Sequence, residues 1–380
     1  MMKKNNISIY IHIPFCKSRC LYCDFCSSLI DIEQVKKYIS YLKREISLYN
    51  NLLENREIST IFIGGGTPSS IPYTYIGEIL SALKKYKLSP KAEISIEANP
   101  NSLNLEKLEA YKAFGINRLS LGAQSFNEKI LKVLGRIHNK KDIFIAVENI
   151  KNSGINNFNL DMMLGLPYQK LKDIYESIKI LEILNPTHIS YYSLIIEDKT
   201  RIKNLYEKNP EIFPSEDEDR EMYHFVVNKL NSLGYLQYEI SNFAKKGLEC
   251  KHNLSYWKLE DYLGLGLSAS SNLALKRFTN SYSFAEYYNS IDKNKFPYVF
   301  SETLTKKDRI NEYAIMGIRL IKGINFKDFE KRFGIIFYSY YEKEIEKHLN
   351  SSLLEMDKSS IYLTEKGRDL SNLVEIDLIK

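Results

Sequence analysis

Six short β-rich segments alternate with helical-period stretches through the first half of the chain, and that alternation restricts the fold more than any other feature. The segments are residues 8–13, 60–63, 93–97, 118–121, 157–161 and 188–194, each followed within a few residues by Gly, Pro, Asn or a polar residue. The clearest helical pattern between them runs Val35, Ile39, Leu42, Ile46, Tyr49, Leu53, one apolar stripe at spacings of three and four. Asp31 with Gln34 three residues on offers a capping-box-like start. Further helices are expected over about 73–86, 104–114, 140–152 and 171–184. Strands spaced about 25–50 residues apart, with a helix between each pair, predict a parallel sheet of right-handed βαβ units. Six units fall short of the eight of a closed TIM barrel, so the sequence predicts an α/β fold, a partial (β/α)6 TIM-type barrel.

The rhythm changes after residue 200. Ser215 with Glu218 caps an amphipathic helix carrying Met222, Phe225, Val226 and Leu230, and an irregular Tyr- and Gly-rich region follows. Beyond Thr305 come short helices, a strand near 361–363 and a stretch over 364–373. These read as a smaller C-terminal α+β, winged-helix-like module. The chain therefore divides into 1–200 (partial barrel), 201–300 (barrel-flanking region) and 301–380 (C-terminal module).

A net charge of +6 is spread over 53 basic and 47 acidic residues, with no dense Lys/Arg run, so no nucleic-acid partner is expected. No stretch reaches the roughly 18 apolar residues of a transmembrane helix. The basic start, MMKKNN, before an apolar run resembles a signal peptide, but His12 and Pro14 interrupt the run and no small-residue cleavage site follows. Three of the five cysteines fall within eight residues, a ligand cluster rather than a disulfide framework. A cytoplasmic protein is expected, with transient membrane association compatible.

The first predicted strand ends in Pro14-Phe15-Cys16-Lys17-Ser18-Arg19-Cys20-Leu21-Tyr22-Cys23-Asp24-Phe25. Three thiolates spaced C-x3-C-x2-C can wrap one loop around a four-iron cubane, each ligating a separate iron. The fourth iron is left open for a cofactor or substrate, as at catalytic metal sites. A structural zinc would need a fourth ligand such as Cys26 or His12, and the second distant cysteine pair usual for such sites is missing from the sequence. The polar residues Gly64–Gly66, Glu97, Gln124 and Asp161 all fall at the ends of predicted strands, the face on which barrel enzymes build their sites.

The C-x3-C-x2-C loop after a strand resembles the radical S-adenosylmethionine (SAM) superfamily. The surrounding motifs resemble the narrower family of oxygen-independent coproporphyrinogen III oxidase-like proteins. These are YIHIPFC (10–16), GGGTPS (64–69), IEANP (96–100), GAQSF (122–126), GRIH (135–138), DMMLGLPYQ (161–169), YEISNFA (238–244) and HNLSYW (252–257). The resemblance implies a [4Fe-4S] cluster on Cys16, Cys20 and Cys23, with SAM at the open iron. It implies SAM contacts from Tyr10, Gly65 and Glu97, and positions for a second SAM at Tyr22, Gly66, Thr67, Gln124, Arg136 and Asp161. A surface salt bridge is the plain alternative for Arg136, and a helix cap for Asp161.

Two functions from different classes follow from the family. One is an oxidase that decarboxylates propionates by radical chemistry; the other is a haem chaperone that delivers haem to an acceptor protein. The oxidase pattern is C-x3-C-x2-C-x-C, whereas Asp24-Phe25 follows Cys23 here, as in the chaperone branch. The oxidase also carries a long extension before its cluster, and here the first cluster cysteine is at position 16. Cys250, His252, Tyr256 and Trp257 match the HN-x2-YW motif of that branch, which implies haem contact. In an extended segment Cys250 and His252 would project to one side. The competing reading is that this segment packs the barrel against the C-terminal module. The chaperone leads the two readings, no catalytic residue is assigned, and a homodimer is plausible for the family.

Overall fold

A computed structural model describes residues 6–380. The basic start, Met1 to Asn5, lies outside them. The six expected strands are present as β1 (Asn6–Ile13), β2 (Glu57–Gly65), β3 (Leu88–Ala98), β4 (Arg118–Gln124), β5 (Asn157–Leu164) and β6 (His188–Ser193). They pair in parallel and in chain order. Every residue of β4 is buried, because helices cover one face and the barrel lumen occupies the other.

The outer layer is built from α1 (Ile32–Leu48), α2 (Tyr73–Leu83), α3 (Leu105–Phe114), α4 (Lys140–Ser153) and α5 (Leu171–Leu184). The stripe Val35, Ile39, Leu42, Ile46, Tyr49, Leu53 is buried throughout. Asp31 caps α1 by accepting from the Glu33 amide, and the box with Gln34 is not formed. Asn139 and Asp142 do form a reciprocal box at α4, as do Ser215 and Glu218 at α6 (Glu216–Ser232).

The sheet is longer than the βαβ pattern alone indicates. Beyond β6 it gains β7 (Leu236–Glu239) and β8 (Asn242–Ala244). A short helix α7 (Lys251–Trp257) follows, and then β9 (Tyr262–Leu265), β10 (Ser270–Leu273), β11 (Lys276–Asn280) and β12 (Tyr298–Thr303). The order of the twelve strands is β12-β11-β10-β9-β1-β2-β3-β4-β5-β6-β8-β7. β9 runs parallel to β1 and forms a seventh parallel strand. The irregular middle region therefore extends both edges of the open barrel. The C-terminal module, from α8 (Lys306–Ile318) onward, holds a separate apolar core around Phe329, Phe337, Tyr341 and Ile361. Its three-stranded antiparallel sheet is built from residues 324–325, 354–356 and 360–363. Among the described residues no helix is long and apolar enough to cross a membrane.

Candidate cofactor-binding site

The cysteine loop is closed at its base. Phe15–Cys16 pairs with Ser28–Leu29, and the Ile30 amide donates to Cys16 O at 3.1 Å. Two further bonds pin its middle: the Leu21 amide to Leu134 O at 3.0 Å, and the Ile202 amide to Leu21 O at 2.9 Å. Cys16 is buried, Cys20 and Cys23 are half-buried, and all are free thiols. Burial pushes the Cys16 thiol up, and pushes Cys23 up to about 11. Thr67 Oγ1 donates to Cys16 Sγ at 3.7 Å and Arg136 Nη1 to Cys20 Sγ at 3.4 Å.

Of the two residues that a zinc ion would need as fourth ligand, His12 has both ring nitrogens taken. His12 Nε2 donates to Cys26 O at 2.8 Å, and its Nδ1 accepts from the Tyr10 hydroxyl at 3.0 Å. Cys26 Sγ lies 3.9 Å from Tyr282 O. Among the described residues no three His, Cys, Asp or Glu side chains converge as ligands of one metal ion. A cubane asks for something else, namely thiolates on separate irons. The three loop cysteines, with donors aimed at two of their sulfurs, fit such a cluster.

The glycine turn after β2 is stitched to this loop. The Gly66 amide donates to Ile13 O at 2.9 Å and the Thr67 amide to Phe15 O at 2.8 Å. Gly65 holds φ +111°, and a side-chain carbon there would sit 2.5 Å from the His12 ring. The protein's own packing therefore demands glycine, and the turn is more than an isolated bend. The Gly65 amide also donates to Glu97 Oε2 at 3.0 Å.

Glu97, next to last on β3, and Asp161, in the middle of β5 rather than at its expected end at 161, face the same mouth. Burial, then the like charge of Asp161, push the Glu97 carboxyl up to about 8, against the Gly65 donor. Burial also raises Asp161, although Ser120 and Asn159 donate to it at 3.0 and 2.7 Å. Those bonds hold it inside the lumen, so it caps no helix. Arg136 is likewise no surface salt bridge. Its Nη2 donates to Asn99 Oδ1 and Gly122 O, both at 2.6 Å, and its Nε is buried without a partner. Gln124, at φ +64°, accepts from the Tyr192 hydroxyl at 3.3 Å. Tyr22 packs beside Arg136 and the Cys20 and Cys23 thiols, and burial raises its hydroxyl.

Sequence reading missed Asn99, Tyr192, Ser120 and Asn159. Asn99 was visible inside the IEANP motif, and Asn159 lies two residues before Asp161 on the same strand face. The other two give no local signal.

The expectation for residues 250–252 is corrected. They are not extended: Cys250 is the N-cap of α7, and both Cys250 and His252 are buried at 0% and 1% exposure. The reason is a distant carboxylate. Glu93 on β3 accepts from the Lys251 and His252 amides, each at 3.1 Å, and from Cys250 Sγ at 3.5 Å. It thereby caps a helix start that has no capping side chain of its own. His252 bonds Thr60 Oγ1 at 2.7 Å and the Tyr256 hydroxyl at 2.8 Å, and burial drives its pKa down to about 3. Phe62 stacks on both Tyr10 and His252, with ring centroids 6.4 and 5.1 Å apart. Helix α7 is thus a floor of the barrel, one aromatic layer below the mouth. The half-buried Trp257 carries Arg319 of the C-terminal module over its ring at 5.1 Å.

Comparison with known proteins agrees with this fold. Residues 10–181 match the model of the radical SAM superfamily, and residues 304–370 match the HemN C-terminal domain. The chain is 37% identical over 370 residues to the haem chaperone HemW of Bacillus subtilis (strain 168), covering 97% of each. It is 36% identical over 376 residues to that of Lactococcus lactis subsp. lactis, covering 98% of this chain and 97% of the relative. It also superposes on the solved structure of Escherichia coli coproporphyrinogen III oxidase (HemN), described as a radical SAM enzyme. The TM-score is 0.86 at 23% identity, over 99% of this chain and 91% of that one, a likeness of fold. The cysteine loop, the strand-end mouth and the full-length relatives place the chain in the radical SAM superfamily and, within it, in the haem chaperone HemW family.

Proposed function

We propose that this chain holds a [4Fe-4S] cluster on Cys16, Cys20 and Cys23, binds SAM at the open iron, and passes haem to an acceptor protein. The full-length likeness to haem chaperones carries the reading, and the mouth supports it. When bound, the cluster supplies one iron with a free coordination position and a one-electron redox centre. Burial and the neighbouring Asp161 favour the protonated form of Glu97 there. The ammonium and sulfonium charges of SAM would favour the ionised carboxylates instead. Tyr10, Tyr22, Gly65, Gly66, Thr67, Gln124 and Arg136 complete the wall.

The haem contact falls on the α7 segment: Cys250, His252, Tyr256 and Trp257. His252 can offer a ring nitrogen to haem iron only once its bonds to Thr60 and Tyr256 are released. Because α7 buries it, haem must wait for α7 to leave the floor, and uptake should approach a rate that no longer rises with haem concentration. The test is haem titration of wild type, Cys250→Ala and His252→Ala, following the Soret band. A changed spectrum and weaker binding in the His252 variant are expected. Wild-type binding in both variants with lowered thermal stability would assign the segment to packing alone.

Asp24-Phe25 stands where the oxidase has its additional cysteine. Anaerobic incubation of cluster-loaded protein with SAM and coproporphyrinogen III is therefore expected to yield no protoporphyrinogen. Decarboxylated product would move the chain into the enzyme class.

A further inference from the structure

The polar groups around the cysteines form one directed chain. A guanidinium only donates, so the 2.6 Å contact with Arg136 requires that Asn99 present Oδ1 to it. That orientation turns Asn99 Nδ2 onto Thr67 Oγ1 at 3.2 Å. With that lone pair taken, the Thr67 hydroxyl proton is free to point at Cys16 Sγ, 3.7 Å away. At the other end, Arg136 Nη1 points at Cys20 Sγ from 3.4 Å. The remaining Arg136 contact is a backbone carbonyl, Gly122 O, and no carboxylate among its bond partners draws the charge elsewhere. The backbone of Asn99 is fixed independently: its amide donates to Ser69 Oγ at 3.2 Å and its carbonyl accepts from the Ser102 amide at 3.0 Å. Its side chain is left to the Thr67–Arg136 pair.

We propose that Asn99 is a positioning residue for the iron–sulfur cluster, aligning Thr67 and Arg136 as hydrogen-bond donors to the Cys16 and Cys20 thiolates and so raising the cluster's reduction potential. The inference rests on the cluster reading above. Its physical basis is that a reduced cluster carries one more negative charge. Donors to its sulfurs, and a nearby cation, then stabilise the reduced form more than the oxidised one.

The test is a mediated dithionite titration of anaerobically reconstituted protein, with the reduced cluster followed by electron paramagnetic resonance. Asn99→Asp is nearly isosteric but only accepts, so it recaptures the Thr67 proton from Cys16 and adds a negative charge. At the wild-type midpoint the ratio of reduced to oxidised cluster should fall about tenfold, about 59 mV for one electron. Thr67→Val should shift the potential in the same direction, while Thr67→Ser stays at the wild-type value. Wild-type potentials in both Asn99→Asp and Thr67→Val, at full iron content, would overturn the proposal. If Asn99→Asp takes up no iron, the neutral Asn99→Ala decides: a lower potential at full iron content upholds the proposal and the wild-type potential overturns it. A wild-type protein that takes up no four-iron cluster would instead sink the reading beneath.

Discussion

Cys26 lies only three residues beyond Cys23, yet its sulfur contacts Tyr282 O and its carbonyl is committed to His12. Replacing Cys16, Cys20 or Cys23 with Ala is therefore expected to abolish bound iron after anaerobic reconstitution, and Cys26→Ala to retain it. Iron loss in the Cys26 variant would refute the three-ligand assignment. Glu45 poses a different residue-level question. It is buried at 0% exposure on α1, receiving the Gly266 amide at 2.7 Å, the Tyr287 hydroxyl at 2.6 Å and Asn280 Nδ2 at 2.7 Å. Burial outweighs those donors and pushes its pKa up to about 7. A raised folded-state pKa means that the folded form holds its proton more tightly. The stability this contributes is present in full below the unfolded value near 4.5 and is lost as pH rises through 7. The group accounts for about 3 kcal/mol across that window. Thermal melts from pH 4.5 to 8 should show this decline in wild type and a flatter profile in Glu45→Gln. Parallel profiles would remove Glu45 as its source.

At the scale of elements, β-rich runs ended by turn residues and stripes of period 3.6 located strands and helices because each signal lies within one contiguous stretch of residues. Helix α7 escaped that logic. It is seven residues long, and Glu93, from a strand far away in the chain, supplies its cap. Glu93→Ala should leave two amides and a buried thiol unsatisfied, lowering unfolding free energy by about 1–3 kcal/mol. Urea denaturation measures it. A change within error would mean that α7 is held by packing rather than by its borrowed cap. Strand β9 was equally hard to see: Tyr-Leu-Gly-Leu has no alternation of its own and becomes a strand by lying parallel to β1.

For the whole molecule, two separate apolar cores meet across a polar seam. Asp369 of the C-terminal module receives His224 Nε2 at 2.9 Å and Arg220 Nη1 at 3.4 Å from α6, and Glu365 faces His224 Nδ1 at 3.0 Å. These contacts are partly exposed, so each is worth about 1 kcal/mol or less. Asp369→Ala is expected to lower the melting of the C-terminal module by a few degrees in calorimetry while the barrel transition stays in place. An equal shift of the entire endotherm would show that the two cores unfold as one.

The strand–helix alternation, the cysteine spacing and the strand-end polar residues were legible in the order of residues. Each depends on local periodicity or on spacing within one loop, which the chain carries with it. Tertiary structure alone decided the rest. It turned Arg136 and Asp161 inward, made Asn99 the link between two cysteine donors, and folded Cys250 and His252 into a buried floor. The physical reason is common to all of these. A polar side chain in the barrel must find its partner across the lumen, and the register of parallel strands, separated in sequence by whole helices, determines which residue that partner is.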